Sequence, residues 1–207
     1  MSMFETLYND ISSYIVVKPE DWRMITARLR PNVIRKKKKF IVEGEECDKM
    51  IFIRSGAIQF YYSNPKGACR ITKFHFDKNW ILDVERLGKN IPYDGNYETI
   101  EDTFILTLSS DDYFYLLKNC VTFSYYISHI VRQELIDTKL RLKNTLGLTA
   151  EEKYQFILEN EPEVINRVSQ QHIASYIGLT PETFSRIKRK KETEDAKEFT
   201  ERVIAAL

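Results

Sequence analysis

What most constrains this chain is an abrupt change of texture near residue 110. From Asn32 to Leu108 it consists of short β-branched and aromatic runs broken by turn residues. From Asp111 to Leu146 it holds neither proline nor glycine, and its apolar residues recur at helical spacing. A chain with this division must build a sheet structure first and then leave it along a helix. The runs VIRKKKKFIVEGEE, KMIFIRSGAIQFYYSNPKG, CRITKFHF and TFILTL read as strands, joined at Glu43-Gly44, Ser55-Gly56 and Asn64-Pro65-Lys66-Gly67. Ile51, Ile53, Ile58, Phe60 and Tyr62 alternate as half-buried strands do. Several short strands at this spacing predict an antiparallel sandwich or barrel. Before them, Phe4, Leu7, Ile11, Ile15, Trp22, Ile25 and Leu29 fall at helical spacings.

After the strands, Phe123, Ile127, Val131, Leu135, Leu142 and Leu146 mark one stripe of a long amphipathic helix ending at Gly147. A helix of that length between two domains has few partners in its own chain, so self-association into a homodimer is the expected use of the stripe. Thr149 and Glu152 form a capping box for the next helix, which closes near Glu161-Pro162. The fold class expected is α+β. It comprises an antiparallel β-barrel or jelly roll over residues 1–118, a dimerisation helix over 119–147, and a helical domain over 148–207.

That last domain carries the most specific motif, VSQQHIASYIGLTPETFSRIKRK. Ser169 suits an N-cap, Ile173, Ala174 and Ile177 share one helix face, and Gly178 supplies a left-handed exit. Thr180 then caps a second helix with Pro181 at its first position. Phe184 and Ile187 face back, leaving Glu182, Thr183, Ser185, Arg186 and Arg189 outward. Two helices joined by a short glycine turn describe a helix-turn-helix, whose second helix enters a DNA major groove. Arg186 can bind guanine O6 and N7, Glu182 can accept from cytosine N4, and Thr183 or Ser185 can serve either edge. Ser169, Gln170, Lys188 and Arg189 are placed near phosphate, and Thr180 joins them among the expected DNA-binding residues. The full chain has a formal charge of only +1, but Val168–Lys191 holds five Arg or Lys and one Glu, hence +4. Any basic footprint is therefore local.

Other chemistry finds little support. Cys47, Cys69 and Cys120 are scattered, which suits small buried hydrophobes in a reducing cytoplasm. His75, His129 and His172 show no metal-ligand spacing, and no acid/base pair or nucleophile set stands out, so neither a metal, a cofactor nor catalysis is expected. The N-terminus lacks the basic flank of a signal peptide, and no apolar run approaches the roughly 20 residues of a membrane span.

The order of parts resembles the Crp/Fnr family of bacterial transcription regulators over nearly the whole chain. FIVEGEECDKMIFIRSGAIQFYY is similar to that family's cyclic-nucleotide-binding-like barrel, and HIASYIGLTPETFSRI to its helix-turn-helix, with Glu182 and Arg186 at the matched recognition positions. The resemblance implies a homodimer on two-fold symmetric double-stranded DNA. It also implies an effector pocket near Trp80, Asp83, Glu85 and Tyr97. Nucleotide-binding members use a Gly-Glu pair and an arginine on the cyclic phosphate. Here NWILDVERLGKN and PYDGNYETIEDT stand instead, with no arginine between Pro92 and Thr103 and with Asp94, Glu98, Glu101 and Asp102 present. A phosphate among carboxylates would be repelled, so cyclic AMP is not expected to bind as in those members. Other readings are a small anionic effector held by Lys37, Lys73 or Arg70, and a helix-turn-helix that serves protein interaction. The run Arg35–Lys39 reads as solvated lysines of the barrel. The tail after Lys191 carries five acids and two bases, and its apolar Phe199, Val203, Ile204 and Leu207 read as a further helix where the family often has a β-hairpin wing.

Overall fold

A computed structural model describes residues 3–64, 69–89 and 91–205. Contacts divide the chain into two units, Met1–Lys139 and Leu140–Leu207. The first unit opens with two short helices, α1 (Glu5–Ser12) and α2 (Pro19–Thr26). Eight strands follow: β1 (Arg30–Ile34), β2 (Lys39–Ile41), β3 (Lys49–Ser55), β4 (Ile58–Ser63), β5 (Cys69–His75), β6 (Trp80–Ile81), β7 (Asn96–Thr99) and β8 (Thr103–Ser109). They form two four-stranded antiparallel sheets, in the orders β1-β8-β3-β6 and β2-β7-β4-β5. Both sheets send side chains into one interior: Ile34, Ile51, Ile53, Ile81 and Ile105 from the first, Ile41, Ile58 and Tyr97 from the second. This double-sheet arrangement of eight strands is the jelly-roll solution.

The strand period explains why β3 is apolar from Met50 to Ile53. Ile51 and Ile53 face the interior, while Met50 and Phe52 face a second core made with the helices. There they meet Leu7 and Ile11 of α1, Ile25 of α2, and Leu106 and Leu108 of β8. In β4 the expected alternation holds on one face, but the opposite face is not solvated, since Gln59 and Tyr61 are also buried. Tyr62, near the end of β4, is exposed. The turn at Gly44 has positive φ, and Gly56 leaves a two-residue connection between β3 and β4. Of the turn expected at Asn64–Gly67, residues 65–67 lie outside the described residues.

Two helices leave the sheets. α3 (Ser110–Asn119) is capped by the Ser109 hydroxyl, and α4 (Val121–Gly147) follows after an extended Cys120. The glycine- and proline-free stretch is thus two helices. The stripe expected to serve a dimer also divides. Phe123 and Ile127 pack into the core of their own unit, because the start of α4 lies against the helix-facing side of the sheet. Val131, Leu135, Leu142 and Leu146 are exposed, together with Ile136 and Leu140.

In the second unit α5 (Ala150–Asn160) begins with the expected capping box of Thr149 and Glu152. α6 (Pro162–Arg167), α7 (Gln170–Ile177) and α8 (Pro181–Ala205) complete it. Among the described residues every strand belongs to the first unit. No helix there is long and apolar enough to cross a membrane.

Candidate nucleic-acid interface and barrel interior

The helix pair forms as its local sequence dictates. The Ser169 hydroxyl accepts from the His172 amide and starts α7. Gly178 ends it at φ 75°, a left-handed conformation that costs glycine little. The Leu179 amide then bonds back to the Ala174 carbonyl at 2.9 Å, tightening the corner. Thr180 starts α8 by accepting from the Thr183 amide at 3.2 Å. Ile173, Ala174 and Ile177 of α7 bury against Phe184 and Ile187 of α8, with Tyr154 and Ile157 of α5 behind them. The Phe184 and Tyr154 rings meet edge to face at 5.3 Å. Ala174 is fully buried, as a close approach of two helices requires.

With that face inward, the remaining side chains of α8 are presented to solvent. Glu182, Ser185, Arg186 and Arg189 are exposed, and Thr183 and Lys188 are half-buried. Ser169, Gln170 and Thr180 are exposed around the entrance to the two helices. Its own backbone amide and the Thr180 hydroxyl hold the Glu182 carboxyl below the usual carboxylate range, so it stays an acceptor at neutral pH. Lys188 lies 3.7 Å from Glu192 one turn on. The residues singled out from the sequence therefore lie on α8 and at the N-termini of the helix pair.

α8 does not stop at Lys191. It runs unbroken to Ala205, because no glycine or proline follows Pro181, and spans about 37 Å at 1.5 Å per residue. The tail is thus a continuation of the same helix, not a separate one. The side chains of Phe199, Val203 and Ile204, and Leu207 as a whole, lie outside the described residues.

The expected effector residues do not converge. Tyr97 faces the barrel interior, whereas Trp80 faces the helices, where Phe52 lies 5.1 Å away. The two-residue strand period sends Ile81, not Trp80, inward. The Trp80 indole donates to the Tyr126 hydroxyl at 2.8 Å, and Tyr126 donates to Asp10, joining β6, α4 and α1. Glu85 is exposed. Asp83 accepts from the Glu85 and Arg86 amides and pairs with the Arg86 guanidinium at 2.6 Å.

Arg86 is the residue that sequence reasoning passed over. Also paired with Asp94 at 3.1 Å, it supplies a cation to one of the carboxylates that looked unopposed along the chain. Of the three cations considered for an anion, Lys37 sits in the turn between β1 and β2, and Arg70 is exposed. Lys73 pairs with Glu134 of α4. Arg35 pairs with Asp102 at 2.8 Å, and Arg35–Lys39 form an exposed run.

His75 is buried beside Tyr97, and its Nε2 has no hydrogen-bond partner among the described residues. Burial first, and the Lys73 ammonium second, hold its pKa well below the usual 6.5. The three histidines lie in β5, α4 and α7, and among the described residues no group of ligands is arranged for a metal. Of the cysteines, Cys120 is buried and Cys47 half-buried, but Cys69 is exposed at the start of β5, against the expectation that all three are buried.

A jelly roll followed by α4 and a helical unit containing a helix-turn-helix is the fold of Crp/Fnr-type regulators. FixK2 from Bradyrhizobium japonicum is similar, with 20% identity and a TM-score of 0.68, covering 81% of this chain and 86% of that one. A cyclic nucleotide-binding domain containing protein from Listeria monocytogenes matches with a TM-score of 0.69 at 14% identity, covering 91% of each chain. A protein from Eubacterium rectale, provisionally classed as a crp/fnr-family transcriptional regulator, matches with a TM-score of 0.66 at 17% identity, covering 91% of this chain and 87% of that one. No family model matches the sequence, and no curated protein matches it.

Proposed function

We propose that this chain is a non-enzymatic transcription regulator of the Crp/Fnr type that binds double-stranded DNA as a homodimer, without cyclic AMP as its signal. The observation that carries this reading is the division of α8. Phe184 and Ile187 are buried, while Glu182, Ser185, Arg186 and Arg189 are exposed on the other side. That outer face combines a guanidinium, a carboxylate and a hydroxyl within two turns, the donors and acceptors that base edges require. The fold agrees, since its solved neighbours include transcription regulators.

In this reading residues 1–118 are a sensor, 119–147 the dimerisation helix and 148–207 the DNA-binding domain. Val131, Leu135, Leu142 and Leu146 would meet the same residues of a second copy. DNA binding places the protein in the cytoplasm. Ser169, Gln170, Thr180, Lys188 and Arg189 would hold phosphates, while Glu182, Thr183, Ser185 and Arg186 read bases.

Binding-site selection from a random oligonucleotide pool, followed by titration across salt, tests this. The dimer should select half-sites whose centres lie about 34 Å apart, one turn of duplex. With about six to ten phosphate contacts, affinity should fall roughly 10³- to 10⁵-fold between about 50 and 200 mM salt. A flat salt response and an unselected pool would leave the protein-interaction reading of the same helix pair.

A further inference from the structure

A sensor barrel would hold its ligand in the interior, and here aromatic side chains of the chain itself pack there. Phe60 of β4 lies across from Tyr97 of β7, their ring centres 4.6 Å apart. The edge of the Phe60 ring sits so close to Gly95 that a Cβ on that glycine would lie 2.7 Å from it. Tyr97 also meets Tyr93 at 5.7 Å and Phe40 at 6.2 Å, and Tyr62 meets Phe60 edge to face at 5.1 Å.

Tyr93 and Gly95 belong to the connection between β6 and β7, which Arg86 ties down. Its guanidinium pairs with Asp83 and Asp94, donates to the Pro92 carbonyl at 3.1 Å and covers the Tyr93 ring at 5.3 Å. On the neighbouring strand Lys73, directly across from Phe60, is held by Glu134. Lys73 and Arg86 are therefore already matched to carboxylates, and an anion seeking either would have to break that pair.

We infer that Phe60, Tyr93 and Tyr97, clamped by Arg86, form an internal plug that stands where an effector would, so that the barrel holds its fold and the DNA affinity is intrinsic to the chain. This rests on the regulator reading for its DNA consequence, but the plug itself can be tested without DNA. Aromatic rings in edge-on and offset contact are a stable, close-packed filling, and removing one from such a core leaves an apolar space that small apolar molecules enter.

The test uses the full chain. Native mass spectrometry of dialysed protein should show protomers without a low-mass adduct. Thermal melting with indole as the probe should leave the wild type unmoved, while Phe60→Ala gains an indole-dependent rise of about several degrees as binding to the folded state stabilises it. Phe60→Leu, a smaller change, serves if Phe60→Ala does not fold. A stoichiometric adduct on the wild type, indole binding to the wild type, or no gain in either folded variant would overturn the plug.

In parallel, cyclic AMP and cyclic GMP should alter affinity for a selected oligonucleotide by less than about twofold, whereas a ligand preferring the bound conformation tenfold would shift it by about that factor. A tenfold change would overturn the effector-free reading. If no oligonucleotide binds at all, the regulator reading fails, and the mass and indole results still decide the plug.

Discussion

Phe184 and Arg186 stand two residues apart on α8 and should fail in opposite ways. Phe184 is 2% exposed and meets Tyr154 edge to face at 5.3 Å. Phe184→Ala removes a whole ring from the centre of the three-helix packing, at about 3–5 kcal/mol, of which the aromatic contact accounts for about 0.5–1.5. A unit the size of Leu140–Leu207 holds roughly 3–10 kcal/mol in total at ~0.05–0.15 kcal/mol per residue, so the loss is of the same order as its whole stability. Calorimetry should show the transition of the second unit shifted down or abolished while that of the first is kept, with DNA binding gone.

Arg186 is exposed and should cost less than about 0.5 kcal/mol of stability when changed to alanine. Its expected loss is in recognition, about 1–3 kcal/mol for one base pair in each half-site, and roughly twice that for a symmetric dimer. Fluorescence anisotropy with a selected site and single-base variants reads both effects. The reasoning is refuted if Phe184→Ala melts and binds as the wild type does. It is equally refuted if Arg186→Ala weakens every sequence alike, which would make Arg186 a phosphate contact.

Three further perturbations probe the first unit. Tyr126→Phe takes the acceptor from the buried Trp80 indole and the donor from Asp10, and should cost about 1–3 kcal/mol by denaturant unfolding with a change in tryptophan emission; an unchanged midpoint would remove the relay from the account. His75 has a folded-state pKa below its unfolded value near 6.5, so below that pH the unfolded chain binds the extra proton. Its contribution to stability is therefore complete above about pH 6.5 and is lost as pH falls, by up to about 1.4 kcal/mol per pH unit. His75→Phe should flatten that slope in unfolding titrations, and an identical slope would assign the dependence elsewhere. Gly56→Ala would force a side chain into φ 127° with its Cβ 2.6 Å from the Thr103 Cα, and should destabilise by more than about 1–3 kcal/mol; a neutral thermal shift would contradict the packing at that turn.

Much of the architecture was written in local pattern. The switch from turn-broken β-runs to a glycine-free helical stretch marked where the sheets end. The motif from Ser169 to Arg186 carried its own caps, its left-handed glycine and its inward and outward faces, because each depends on neighbours within a few residues. What local pattern could not show were β6 and β7, strands of two and four residues whose pairing partners are distant in sequence. The helix break at Cys120 also went beyond it. Phe123 and Ile127 look like the rest of the α4 stripe along the chain, and only the sheet beneath them withdraws them from it.

The sequence by itself determined the order of parts and the chemistry of the α8 outer face, since helix periodicity fixes which residues share a side. Only the tertiary structure decided which side chains pack in the barrel interior. It turned Trp80 toward the helices, brought Arg86 between Asp83 and Asp94, and set Phe60 against Gly95. Those contacts join residues that the chain keeps apart. Electrostatic pairing and ring packing depend on distance in space, which a linear pattern does not contain.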